Sequence, residues 1–130
     1  MLPSHRFSDL TQPEIAEQFK KNPLVILPAG SVEQHGPHLP VDTDTLTAVY
    51  IAQKMAATNT KMRLIVAPPF RYTYAKPSRV FAGTVSIDGQ TLIKLTRDTM
   101  RCFIEQGFQK ILVINAHMEN TDFMIEGISL

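Results

Sequence analysis

Residues 24–44 read Leu24-Val25-Ile26-Leu27-Pro28-Ala29-Gly30-Ser31-Val32-Glu33-Gln34-His35-Gly36-Pro37-His38-Leu39-Pro40-Val41-Asp42-Thr43-Asp44, and this stretch decides the fold. Its first four residues form a continuous apolar run, the pattern of a parallel strand buried on both faces. The fifteen residues from Gly30 to Asp44 then gather one Glu, two His and two Asp. Holding so many ionisable groups together is costly unless something neutralises them. A divalent cation does that, because imidazole and carboxylate are ligands of catalytic zinc and are also accepted by manganese.

The arrangement recurs once. A second apolar run, Ile111-Leu112-Val113-Ile114, leads into Asn115-Ala116-His117-Met118-Glu119-Asn120. Around and between the two lie helix and strand signals in alternation. Thr11, Pro13 and Glu14 mark a helix start with a capping box. Leu46, Val49, Tyr50 and Met55 recur at helical spacing, predicting a helix over about 45–57 with that stripe as its apolar face. Residues 63–67 read as a second strand, stopped by Pro68-Pro69. Residues 70–84 form a long, aromatic and basic loop, a length that often carries function. Asp88 caps a further helix whose stripe is Leu92, Leu95, Thr99 and Phe103, and Gly107 closes it. Residues 110–114 give the third strand, and a last helix starts at Thr121 with Phe123, Met124, Ile125 and Ile128 on its apolar side.

This order, a helix followed by three strand–helix units, predicts an α/β fold with a largely parallel sheet. Ligands in such sheets bind outside the carboxyl ends of the strands, where both polar loops fall. The 130 residues fit a single domain spanning 1–130. An apolar fraction of 44% and a formal charge of +1 give no sign of disorder or of a nucleic-acid surface. No apolar stretch approaches the roughly 20 residues that span a bilayer, and the first residues lack the apolar core of a signal peptide. Cys102, the one cysteine, reads as a half-buried structural thiol and favours a reducing, cytoplasmic setting. His5, in a polar segment, reads as solvated.

Glu33 and His35 are two apart, so in extended backbone they point to one side. Asp44 stands at the entry to a helix, where it suits either a cap or a ligand. His117 and Glu119 repeat the His/carboxylate pairing after a different strand. Glu33, His35, Asp44, His117 and Glu119 exceed what one tetrahedral ion needs and suit two ions, with Asp44 as the natural bridge. His38 and Asp42 suit supporting roles that orient the ligands.

At these residues the chain resembles the creatininase (creatinine amidohydrolase) family. The resemblance rests on 27–40 with Thr43-Asp44, on Phe81-Ala82-Gly83-Thr84-Val85-Ser86, and on Asn115-Ala116-His117-Met118-Glu119-Asn120. It implies a layered α/β fold and a centre of two divalent ions, zinc, manganese or both. One ion would be held by Glu33 and His117, the other by His35 and Glu119, with Asp44 between them. It further implies hydrolysis of a small-molecule cyclic or linear amide by a water shared between the ions. Many relatives carry Gly in place of Glu119, so its presence points to creatinine, opened to creatine. Formamides and peptide amides are the alternatives, as is a catalytically silent metal-binding half-domain. Ser78 is expected at the substrate, and so is Met118, which stands where creatinine-hydrolysing relatives often carry Tyr. Family members run to roughly twice this length, so the chain resembles their N-terminal half. The catalytic proton shuttle is then expected in the second half, and no residue here is assigned to it. The family's assembly implies a homo-oligomer, typically a hexamer.

Overall fold

A computed structural model describes residues 5–130. Its elements in chain order are α1 (Gln12–Phe19), β1 (Leu24–Ala29), α2 (Thr43–Thr58), β2 (Leu64–Val66), α3 (Gly89–Glu105), β3 (Lys110–Asn115) and α4 (Thr121–Ser129). Single 3-10 turns cover Phe7–Asp9, Lys76–Ser78 and Met118–Asn120. The three strands form one sheet in the order β2-β1-β3, and both pairings are parallel. This is the layered α/β fold expected from the sequence. No helix among the described residues is long and apolar enough to cross a membrane.

The central position of β1 explains its unbroken apolar character. Val25 and Leu27 point to one face, where Ile65, Met100, Phe103 and Phe108 meet them. Ile26 points to the other and packs with Ala52, Ala56 and Val66. A strand covered by α3 on one side and α2 on the other has no solvent face on which polar residues could alternate.

Local signals set the element ends. The Thr11 amide and hydroxyl both donate to one Glu14 carboxylate oxygen, at 2.8 and 2.7 Å. The Asp88 carboxylate accepts from the Gln90 amide at 2.9 Å and caps α3. At the far end of α3 the Phe108 amide reaches the Phe103 carbonyl and the Gly107 amide reaches Ile104, with Gly107 at φ +101°. That is a Schellman turn, and its customary apolar contact is the Phe103–Phe108 ring pair at 5.6 Å.

Two helix faces differ from the sequence reading. In α2 the buried residues are Asp44, Thr45, Ala48, Ala52 and Ala56, while Leu46 and Tyr50 are 52% and 62% exposed. Alanines four apart let the helix axis approach the sheet, and the larger stripe is turned outward. In α3 Leu92 and Phe103 are buried as expected, but Ile93, Thr96 and Met100 complete the inner face and Leu95 is exposed. Cys102 is exposed rather than half-buried. His5 is held, not free: its carbonyl accepts from the Val66 amide at 2.7 Å, and its ring lies against Leu64 and Arg63 at the outer edge of β2.

The register between β1 and β3 runs to the pair Ala29↔Asn115, and the Ala116 amide still donates to the Ala29 carbonyl at 2.9 Å. The two polar loops therefore leave neighbouring strands at the same level. Gly30, first in its loop, is pressed against the start of α2: a Cβ there would lie 2.3 Å from the Thr45 nitrogen. Because that neighbour is backbone inside a helix, Gly30→Ala should cost about 3 kcal/mol or more of stability in urea unfolding. Gly107→Ala, strained in φ but with nothing within 4 Å of the new Cβ, should cost about 1–2 kcal/mol. Equal losses would show that the close approach at Gly30 is not a constraint.

Candidate metal centre

The N-terminal turn of α2 carries Asp44 inward, and its carboxylate sits between two imidazoles. Oδ1 lies 3.0 Å from His35 Nε2, and Oδ2 lies 2.8 Å from His117 Nδ1. Glu33 adds Oε2 at 3.2 Å from the same His117 nitrogen. Asp44 and His117 are only 8% and 5% exposed. Glu33, His35 and Asp44 each offer a donor atom within 4.8 Å of the other two.

The opposite nitrogens of both rings face backbone carbonyls. His35 Nδ1 lies 3.0 Å from the Glu33 carbonyl, and His117 Nε2 lies 3.0 Å from the Tyr74 carbonyl. Carbonyls and carboxylates both only accept, so each ring lies between two acceptors. A neutral imidazole carries one N–H and leaves one of its nitrogens facing an acceptor with a lone pair. Positive charge removes that conflict, either as a second proton on the ring or as a cation between imidazole and carboxylate. Two donors each about 2.1 Å from one tetrahedral zinc ion lie roughly 3.4 Å apart. The observed separations of 2.8, 3.0 and 3.2 Å would have to open by a few tenths of an ångström to admit one. The donor set thus fits a divalent metal. The Glu33 carbonyl is the main influence raising the His35 pKa above its usual value; burial opposes it, and the Asp44 carboxylate assists.

Glu119 enters from the 3-10 turn after β3. Its Oε2 lies 3.5 Å from His117 Nε2, which faces the Tyr74 carbonyl, and is buried with no hydrogen-bond partner. A buried carboxylate oxygen without a hydrogen bond, beside four other donor side chains, suits a cation ligand. At that distance Glu119 forms an ion pair with His117.

Of the residues singled out from sequence, Glu33, His35, Asp44, His117 and Glu119 converge. The Ser78 hydroxyl donates to Glu33 Oε1, so Ser78 reaches the centre through that carboxylate. Met118 is 86% exposed between His117 and Glu119. Asp42 does not orient the ligands: it pairs with Arg71 at 2.6 Å, tying the long loop to the start of α2. His38 is exposed and has no hydrogen bond or ion pair among the described residues. The carbonyls of Glu33 and Tyr74 escaped the sequence reading, since any residue type supplies a carbonyl. Asn120 stood inside the quoted motif, but nothing there specified its partner: its amide donates to the Gly30 carbonyl at 2.9 Å.

A parallel α/β sheet with a cluster of imidazoles and carboxylates at its carboxyl edge defines the class, and comparison with known proteins narrows it. The family described as Creatininase: Creatinine amidohydrolase matches residues 8–129. The chain belongs to this family. It is 31% identical to a creatinine amidohydrolase of Pseudomonas putida over 82% of its own length and 42% of that protein's. It is 34% identical to a mycofactocin precursor peptide peptidase of Mycolicibacterium smegmatis, covering 83% and 44%. With a 3-dehydro-scyllo-inosose hydrolase of Thermotoga maritima the identity is 31%, covering 85% and 35%. Among solved structures, one described as creatininase with manganese superposes with a TM-score of 0.91 at 28% identity, covering 98% of this chain and 51% of that one. A mutant creatininase of zinc–zinc type gives 0.89 at 28%, covering 98% and 50%. The chain thus spans about half the length of the relatives it matches.

Replacing Asp44 by Asn removes the charge that faces both imidazoles, whereas Asp42→Asn touches only the contact with Arg71. Zinc affinity measured by calorimetry should fall at least about 100-fold in the first variant and by less than about threefold in the second. Equal losses would mean that Asp44 is not the central ligand.

Proposed function

We propose that this chain carries the metal centre of a metal-dependent amidohydrolase acting on creatinine, opening its ring amide to give creatine. The observation that carries the reading is the Asp44 carboxylate set between two imidazoles, with one oxygen facing His35 Nε2 and the other facing His117 Nδ1. Glu33, His35, Asp44, His117 and Glu119 would hold two divalent ions, zinc or manganese. Ions so held make a bound water nucleophilic at neutral pH and polarise an amide carbonyl.

The chain's own residues do the rest of the work assigned here. Asp44 offsets positive charge on both sides of the centre, and the Ser78 hydroxyl fixes the free oxygen of Glu33. Exposed Met118 stands between two proposed ligands, where an incoming ring would meet it. Hydrolysis adds water across the C–N bond: its oxygen goes to the carbonyl carbon and a proton goes to the departing nitrogen. None of the five clustered groups is free to deliver that proton, and we place the donor outside these residues. Relatives of similar identity that are named for a peptide or an inosose support a second reading, in which the same centre serves another amide or ring.

Metal analysis of the dialysed chain should find two equivalents of zinc or manganese, and His35→Ala or His117→Ala should release or weaken one of them. Retention of both ions by both variants would remove the basis of the proposal. Proton assistance of this kind contributes about 10²–10⁴-fold. The 130-residue chain alone should therefore hydrolyse creatinine at least about 100-fold more slowly than a full-length relative. A matching rate would mean that a proton donor lies within these residues.

A further inference from the structure

The stretch Phe81-Ala82-Gly83-Thr84-Val85-Ser86 supplies none of the five clustered side chains, yet it runs beside the loop that supplies two of them. Val85 bridges Val32 in antiparallel fashion, and its amide donates to the Val32 carbonyl at 2.9 Å. A regular ladder would place the next hydrogen-bonded pair two residues on, between Gln34 and Gly83. Gly83 instead has φ +87°, which turns the chain out of the extended conformation. The rung is made by a side chain: the Gln34 amide donates to Thr84 Oγ1 at 3.0 Å.

That amide belongs to the peptide joining Glu33 to the residue between it and His35. The Glu33 amide donates to the Val41 carbonyl at 2.9 Å, and the Gly36 amide to the Gln34 side chain at 3.0 Å. Those two bonds stay within one loop, whereas Thr84 and Val85 tie it to the loop between β2 and α3. The same stretch has a second hold. The Ser86 hydroxyl accepts from the Ala75 amide, and the Ile87 amide donates to the Thr73 carbonyl, each at 2.9 Å. The turn that follows carries Ser78, whose hydroxyl donates to Glu33 Oε1. Glu33 is thus held at its backbone through Thr84 and at its carboxylate by Ser78. Thr84 is half-buried, and a valine there would keep the shape and offer the Gln34 amide no acceptor.

We propose that Thr84 is a positioning residue: by accepting the Gln34 amide, its hydroxyl fixes the backbone between Glu33 and His35 and so keeps their donor atoms in place around Asp44. The proposal rests on the metal reading above and adds to it a residue outside the cluster that sets the geometry of the ligand loop.

Amide hydrogen exchange and zinc calorimetry on the 130-residue chain test it. In the metal-free wild type the Gln34 amide should be protected. Thr84→Val should speed its exchange about 10-fold or more and weaken zinc binding about 10–100-fold. Thr84→Ser, which keeps the hydroxyl, should restore both. Thr11→Ala, which loosens the capping box of α1, should destabilise the chain yet leave zinc affinity unchanged. A wild-type Gln34 amide exchanging as freely as an unstructured one would overturn the proposal, whether or not Thr84→Val folds. So would a folded Thr84→Val with wild-type zinc affinity, a loss that serine does not restore, or an equal loss in Thr11→Ala. If the wild type binds no zinc, the metal reading fails on its own. Faster Gln34 exchange in Thr84→Val, reversed by serine, would then still support the hold of Thr84 on the loop, and unchanged exchange would overturn it.

Discussion

Three loops meet on one backbone carbonyl. The oxygen of Gly30 accepts from Thr73 and from Asn120, residues that lie in the loops after β2 and β3, while Gly30 itself opens the loop after β1. The same residue lets the first turn of α2 come into contact, because any side chain there would collide with the Thr45 backbone. Asp44 rides on that turn, Glu33 and His35 follow Gly30, and His117 and Glu119 precede Asn120. The separations within the cluster thus depend on one oxygen with two buried donors and on one missing Cβ. The parallel register of β1 and β3 supplies the coarse alignment, and Gly30 supplies the fine one.

The electrostatic cost of the cluster follows from the same geometry. Three carboxylates and two imidazoles share a space in which Asp44 and His117 are almost wholly buried. Close carboxylates disfavour one another's charge, and burial disfavours charge of either sign. The fold nevertheless sets each imidazole between a backbone carbonyl and the Asp44 carboxylate. A cation in that space would offset the carboxylate charge, which would couple its binding to the stability of the loops that carry the cluster.

The strands were legible because each buried run is continuous and is followed by a polar loop. The helix caps were legible because Thr11, Glu14, Asp88 and Gly107 act over one turn of chain. The faces of α2 were not: Leu46, Tyr50 and Met55 have helical spacing, and so do Ala48, Ala52 and Ala56, and only the distance to the sheet chooses between them. The five clustered side chains were legible from residue type and from their place after strands. Their orientation was not, because it is set by the carbonyls of Glu33 and Tyr74, which carry no signature in a sequence. The contact between Ser78 and Glu33 crosses 45 positions and depends on how the long loop folds back over the sheet edge.

In the proposed centre Asp44 would lie between two ions, each shared with one histidine. Anomalous diffraction recorded at the zinc edge from crystals grown with zinc tests it most directly. The account predicts two peaks flanking the Asp44 carboxylate, one bonded to His35 Nε2 and the other to His117 Nδ1. A centre without anomalous signal, or zinc bound with Asp44 outside its coordination shell, would contradict it.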